Sequence, residues 1–363
     1  MSEKKSAIIK LMENFDISGW IVDSDQTIVY MNQHMQDSFG DLSGQKTSII
    51  YESSGFEVVG QEDCEPGEGA EIIIADVPFR RIVSSVDLAE EGKYKIELFE
   101  DISEEKTMRT SMIKTLAKIH TETKMAQTIQ NSILPINDTY WNTIAFNSLY
   151  VPADDVGGDF YDLLKLNDDE YLVYIADVAG HGIQASLLTI FMRERVRTNI
   201  NTALEGTGEL LAKLVEDFCM LDIDFSMYVT MAICKYSKSR KELSISNAGH
   251  NCFPMIIRDN GKTETIPTKG MPICAIADGV SYEEELVTMN PGDRLILYTD
   301  GIVEEVDSAT GKSFGLEGVR ALAEKHHEHN GSYLARKIMD ESSRFALISA
   351  KDDRTILVAD ILS

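Results

Sequence analysis

The stretch Val156-Gly-Gly-Asp-Phe-Tyr-Asp162, continued by Tyr171-Leu-Val-Tyr-Ile-Ala-Asp-Val-Ala-Gly-His-Gly182, decides how this chain is read. Asp159 and Asp177 each sit beside glycine-rich backbone at the end of a strand-like run. Between them, residues 162–166 run into the turn Asn167-Asp-Asp-Glu170 and out along the apolar run 171–176, the pattern of a hairpin. A hairpin returns its two ends to one sheet edge, so the two aspartates are expected close together. Paired carboxylates repel unless a proton or a cation stands between them. Oxygen-only donors favour a hard divalent cation, Mg²⁺ or Mn²⁺. Neighbouring glycines let backbone carbonyls and water approach such an ion. Taken singly, Gly-Gly-Asp and Gly-His-Gly read equally well as plain turns.

The chain has 363 residues, long enough for two or three domains, and 43% hydrophobic content is ordinary for cores of normal size. A formal net charge of −26 argues against nucleic acid and anionic membrane as partners, because phosphate would be repelled. The five cysteines, Cys64, Cys219, Cys234, Cys252 and Cys274, are scattered without a Cys-x-x-Cys pair. That pattern fits neither a disulfide framework nor a zinc site, and fits a reducing cytoplasm. The N-terminus has no apolar segment of signal-peptide kind, and no apolar run approaches the ~20 residues of a membrane span. A cytoplasmic location is therefore expected.

Residues 1–100 read as a small α/β domain. Two short strands flank a polar turn at 23–26, a helical stretch ends near Gly40, and strands follow at 70–75, 79–86 and 93–99. The opening, with Asp23, Ile28, Tyr30 and Asn32, and the exit Asp101-Ile-Ser-Glu-Glu-Lys106 resemble a PAS domain. The resemblance implies a sensory or dimerising module and names no ligand. Cys64, in an acidic glycine-containing stretch, reads as a plain surface thiol.

Residues 101–135 read as a helical linker. Neither glycine nor proline interrupts it before Pro135, which ends the helix. Met112, Leu116, Ile119, Thr123, Ala126, Gln130 and Ile133 recur by four and three, a coiled-coil spacing with polar positions at Thr123 and Gln130. Met125 and Ile129 offer a second apolar face. Such a helix serves either as a parallel homodimeric linker, the reading adopted, or as an amphipathic helix packed on its own domain.

Residues 136–363 alternate clusters of strands with pairs of helices, expected at 183–202, 209–221, 316–327 and 332–347. That order predicts α+β architecture, two packed antiparallel sheets between helix layers, not a doubly wound sheet. The apolar strand Arg294-Leu-Ile-Leu-Tyr-Thr delivers Asp300 to a turn beside Gly301, and Asp352 precedes the terminal strand. The domain thus holds four acids at strand ends, each with glycine or a second acid within three residues.

These stretches, together with Ala126-x-x-Ile-Gln-x-x-Ile-Leu-Pro135 and Asn247-Ala-Gly-His-Asn251, carry a resemblance over residues 120–363. The segment resembles the PPM-type metal-dependent serine/threonine protein phosphatases, in their bacterial SpoIIE-like branch. The resemblance implies a β-sandwich flanked by helices and two Mn²⁺ or Mg²⁺ ions. It makes Asp177 the bridge between the ions, adds the Val178 carbonyl as a ligand, and gives one ion to Asp300 and Asp352. It gives Asp159 a place as direct or water-mediated ligand. His181 is the candidate acid for the leaving serine oxygen, equally readable as a turn residue at a helix start. His250 and Asn251 are candidates for a loop beside the substrate. Residues 150–158 lack the phosphate-gripping arginine of the eukaryotic relatives, and Cys252-Phe253 and Met271-Pro-Ile-Cys depart from the branch's usual loops. The implied substrate is a phosphorylated protein, commonly a STAS-type anti-sigma-factor antagonist. The alternatives are a silent binding scaffold and a diguanylate cyclase. The latter rests on Gly157-Gly-Asp-Phe, where Phe160 replaces the second acid of that signature.

Overall fold

The computed structural model describes residues 3–14, 16–53, 56–59, 69–88, 92–180, 182–221, 223, 226–306, 311–345 and 352–363. The elements and counts below are those of the described residues. The chain forms two compact units, Met1–Lys118 and Ile119–Ser363. No described helix is long and apolar enough to cross a membrane.

The first unit begins with helix α1 (Glu3–Met12), strands β1 (Ser18–Val22) and β2 (Ile28–Met31), and helices α2 (Gln33–Phe39) and α3 (Thr47–Ser53). Strands β3 (Phe56–Val59), β4 (Gly69–Ile74), β5 (Val77–Asp87) and β6 (Lys93–Asp101) complete an antiparallel sheet in the order β2-β1-β6-β5-β4-β3. The turn between β1 and β2 closes on Asp23, whose Oδ1 accepts from the Asp25 and Thr27 amides at 2.9 Å each. Asn32 caps α2 by accepting from the Met35 amide at 3.1 Å. Trp20, Met31, Met35, Ile72 and Phe99 form the core. Inside it Glu97 is buried and compensated, accepting from Trp20 Nε1 at 3.0 Å, Tyr51 Oη at 2.7 Å and Arg81 Nη2 at 2.8 Å. Cys64 lies outside the described residues. The sequence missed α1, α3 and β3, elements of ten, seven and four residues whose short apolar patterns carry little period.

Helix α4 (Ser103–Ile133) crosses from the first unit into the second without a break. Asp101 accepts from the Ser103 amide at 2.8 Å, and Glu104 and Glu105 occupy the positive end of the helix dipole. Of its predicted seam, Met112, Leu116 and Ile119 are 63, 54 and 51% exposed, whereas Gln130 is buried against the second unit. One stripe therefore divides: its C-terminal part packs on the chain's own domain.

The second unit continues with β7 (Asp138–Tyr140), β8 (Ile144–Val151), β9 (Asp159–Lys165), β10 (Glu170–Val178), α5 (Ile183–Thr198), α6 (Ile200–Glu205) and α7 (Thr207–Cys219). Then come β11 (Val229–Ser237), β12 (Glu242–Ala248), β13 (Met255–Ile257), β14 (Thr263–Thr265), β15 (Glu285–Thr288) and β16 (Arg294–Tyr298). Helices α8 (Asp300–Val303), α9 (Gly315–Lys325) and α10 (Gly331–Ser343) precede the last strand, β17 (Arg354–Ile361). One sheet runs β15-β12-β11-β10-β9 and the other β14-β13-β16-β17-β8-β7. Between them lie Phe146, Tyr161, Val173, Ile175, Leu297 and Leu357. Leu188 and Met192 of α5 and Leu211 and Leu214 of α7 cover the first sheet's outer face. Val319 of α9 and Leu334 and Ile338 of α10 cover that of the second. The result is the expected α+β layering of helix, sheet, sheet, helix.

The helix expected over 183–202 is two helices, α5 and α6, parted at Asn199. The Asn199 side chain donates to the Arg195 carbonyl at 2.8 Å and to Asp217 at 2.9 Å, drawing the last turn of α5 away from continued helix. Strand β13 begins at Met255, directly after Pro254, which has no N–H for a ladder.

Candidate metal centre

Asp159 and Asp177 stand opposite each other in the antiparallel register of β9 and β10. The turn that closes this hairpin is held by Asn167, whose Oδ1 accepts from the Asp169 and Glu170 amides at 2.8 Å each. Asp159 is buried, and its Oδ2 accepts the hydroxyls of Thr299 at 2.8 Å and Thr355 at 2.5 Å. These threonines lie at adjoining ends of β16 and β17. The Thr299 amide donates to the Thr355 carbonyl at 3.0 Å, and the Thr355 amide to the Thr299 hydroxyl at 3.0 Å. Asp300 follows Thr299 and opens α8, while Asp352 and Asp353 precede β17. Strand ends of both sheets thus meet at one edge of the sandwich.

The electrostatics report the same convergence. Burial, then the charges of Asp300, Asp352 and Asp353, push the Asp177 carboxyl up to about 7. Asp159 is raised well above the usual carboxylate range by burial and then by Asp177 and Asp353. Burial followed by Glu304 raises Asp300, and burial followed by Asp300 raises Asp352. Among the described residues no three His, Cys, Asp or Glu side chains close around one point as a ready-made ion cage. The acids instead share one neighbourhood in which each disfavours ionisation of the next. A hard divalent cation reverses that penalty, and the donor set is all oxygen, so the residues fit Mg²⁺ or Mn²⁺. The backbone fits as well. A Cβ on Gly158 would lie 2.7 Å from the Val178 carbonyl oxygen and 3.3 Å from Asp177 Oδ1. Glycine there keeps the space beside both oxygens open.

Residues 167–362 match the family described as stage II sporulation protein E, SpoIIE. The chain belongs to the SpoIIE family. With it the chain belongs to the metal-dependent serine/threonine protein phosphatases. It is 24% identical over 245 residues to the phosphoserine phosphatase RsbU of Bacillus subtilis, covering 66% of this chain and 70% of that protein. To the phosphoserine phosphatase RsbP of Bacillus subtilis it is 23% identical over 192 residues, 52% of this chain, and it spans only 46% of that protein. The SiaA-PP2C domain of Pseudomonas aeruginosa shares the fold with a TM-score of 0.60 at 22% identity, over 68% of this chain and 98% of that domain.

The second unit of this SpoIIE-family chain places the sequence candidates unequally. Asp159, Asp177, Asp300 and Asp352 come together, with the Val178 carbonyl facing Gly158. His181 lies outside the described residues. His250 belongs to the interior. It is buried, its Nδ1 meets the Thr230 hydroxyl at 3.1 Å, and its Nε2 meets the Tyr298 carbonyl at 3.0 Å. A carbonyl only accepts, so Nε2 carries the proton and Nδ1 accepts from threonine. Burial lowers its pKa to about 4. His250 is a neutral strut between the two sheets, with no free nitrogen for substrate. Asn251, beside it, is exposed.

Four contributors escaped the sequence reading: Thr299, Thr355, Asp353 and Gln130. Gln130 of α4 donates to the Gly157 carbonyl at 2.8 Å and accepts from the Gly157 amide at 3.3 Å. It also reaches Thr189 of α5 at 3.4 Å. From the same helix, Lys124 and His120 approach Asp155 at 3.3 and 3.8 Å. A polar residue interrupting an apolar seam was the available signal for Gln130. For Asp353 the signal was a second acid directly beside the one chosen.

Proposed function

We propose that this chain hydrolyses phosphoserine or phosphothreonine on a protein, under control of its N-terminal unit, with two Mn²⁺ or Mg²⁺ ions at the acid cluster. Asp177 would serve both ions, Asp300 and Asp352 would hold one of them, the Val178 carbonyl would add a ligand, and Asp159 would supply a fourth carboxylate. When bound, such ions lower the pKa of water and offset the charge on the phosphoryl oxygens. The chain's own part is to hold the acids in place. Thr299 and Thr355 fix one oxygen of Asp159 and leave its other free. The β9–β10 register sets Asp177 opposite. His181 is the candidate proton donor to the leaving oxygen. The observation that carries this reading is the convergence of four acids from distant parts of the chain on one sandwich edge.

Two phosphoserine phosphatases among the relatives support phosphoserine as the bond cleaved. The substrate proposed is a STAS-type anti-sigma-factor antagonist, the class that the family resemblance implies. The first unit acts as a PAS-type sensor, and the exposed Met112, Leu116 and Ile119 of α4 form the homodimer seam. Gln130, Lys124 and His120 then carry a change in α4 to the loop that precedes Asp159. The test is phosphate release from a serine-phosphorylated STAS-type protein with and without Mn²⁺. The wild type is expected to require Mn²⁺, and Asp177→Asn to lose more than ~100-fold, beyond the usual effect of outer-shell changes. Tight binding without hydrolysis would favour the scaffold, and cyclic dinucleotide made from GTP the cyclase.

A further inference from the structure

Asp352 and Asp353 adjoin in sequence, yet the structure treats them oppositely. Asp352 is exposed, and its Oδ1 accepts from the Asp353 amide at 2.8 Å. Asp353 is buried, and its carboxylate is taken up by backbone. Its Oδ1 accepts from the Ala153 amide at 2.8 Å. Its Oδ2 accepts from the Gly158 amide and, at 3.3 Å, from the Asp159 amide. All three donors belong to the segment that leads into β9. Two glycines stand where Asp353 leaves no room. A Cβ on Gly157 would lie 2.1 Å from Asp353 Oδ2, and one on Gly301 would lie 2.1 Å from the Asp353 carbonyl oxygen. The glycines of the Gly-Gly-Asp and Asp-Gly stretches are thus both shaped around this residue.

We propose that Asp353 is a positioning residue of the site: it clamps the backbone of 153–159 so that Asp159 and the Gly158–Val178 pairing are in place before any ion arrives. The proposal rests on the metal-centre reading. With Oδ1 and Oδ2 engaged by N–H donors, Asp353 acts through the backbone and leaves ion contact to Asp352. The clamp spans the sandwich, since residue 353 leads into β17 of one sheet and residue 159 opens β9 of the other. A carboxylate suits the task because it accepts on both oxygens.

The test compares D353A and D353N with wild type in the full chain. Amide hydrogen exchange is measured on metal-free protein, and Mn²⁺ affinity by calorimetry. In D353A the Gly158 and Asp159 amides are expected to exchange at least about tenfold faster, with the centre of β10 unchanged. Its Mn²⁺ affinity is expected to fall about 10- to 100-fold, the range for groups that orient ligands. Asparagine keeps one acceptor, which can serve Gly158 and Asp159 while the Ala153 amide is released. D353N is therefore expected to retain most of the affinity. Equal losses in both variants would show that Asp353 acts by charge alone, and no loss in either, or unchanged exchange at 158 and 159, also overturns the proposal. If D353A does not fold, the D353N exchange pattern, fast at 153 and protected at 158 and 159, decides it. A wild-type chain that takes up no Mn²⁺ would overturn the metal-centre reading and the effect on affinity, and the metal-free exchange comparison would still judge the clamp.

Discussion

At the scale of single residues, burial separates side chains that the sequence leaves alike. His250 sits in Asn-Ala-Gly-His-Asn, a setting that suggests a substrate loop, but its ring is enclosed between Thr230 and Tyr298. Residue type was legible there and environment was not. The same limit hid Asp353 behind Asp352, because two adjacent acids differ only in which one the start of β17 turns inward. Asp159 and Asp177 were legible because a two-residue period and a turn fix both hairpin ends at once. The buried state of His250 has a measurable consequence. Its folded pKa is about 4 against 6.5 when exposed, so the unfolded chain binds more protons between those values. Its contribution is complete above pH 6.5 and declines as pH falls toward 4, by roughly 3 kcal/mol. Asp159 and Asp177, with raised pKas, push stability the other way over part of that range. Denaturant unfolding of metal-free wild type and His250→Gln at pH 7.5 and 5 isolates the histidine by difference. The wild type is expected to lose more stability on acidification than the variant, and parallel pH curves would refute the strut.

At the scale of elements, α4 shows what a periodic stripe can and cannot tell. The four-and-three spacing gave the helix and its end at Pro135, but one spacing serves two neighbours. Met112, Leu116 and Ile119 face outward, and Gln130 further along the same stripe grips Gly157. A period reports a face, not its partner: the C-terminal part of the helix packs on its own domain, and the exposed part is the stretch that a homodimeric linker would use. The grip is testable. Gln130→Leu keeps the helix but leaves the Gly157 amide and carbonyl without these bonds, a loss of about 1–3 kcal/mol for a buried peptide. Turnover with saturating Mn²⁺ is expected to fall roughly 5- to 150-fold, the equivalent of that energy. Helical circular dichroism should stay the same. Unchanged turnover would mean that α4 does not act through this residue.

At the scale of the whole chain, the sandwich was legible because clustered strands with helices outside admit few packings. The first unit was less so, its shorter elements carrying too few apolar positions to set a period. Removing residues 1–110 is expected to change phosphatase activity measurably, and identical rates with and without them would exclude control by the first unit. In sedimentation, the full chain is expected to run as a dimer that Leu116→Glu with Ile119→Glu dissociates. A length rule follows from α4 crossing between the units unbroken over 31 residues. Each residue added near Thr121 turns the preceding residues of α4 by about 100° relative to Gln130. One extra residue would aim Met112 and Leu116 in a new direction, whereas seven restore their heading to within about 20°. Insertions that a surface loop would ignore are therefore graded here by arithmetic, and those close to a whole number of turns, such as about seven or eleven residues, disturb the heading least.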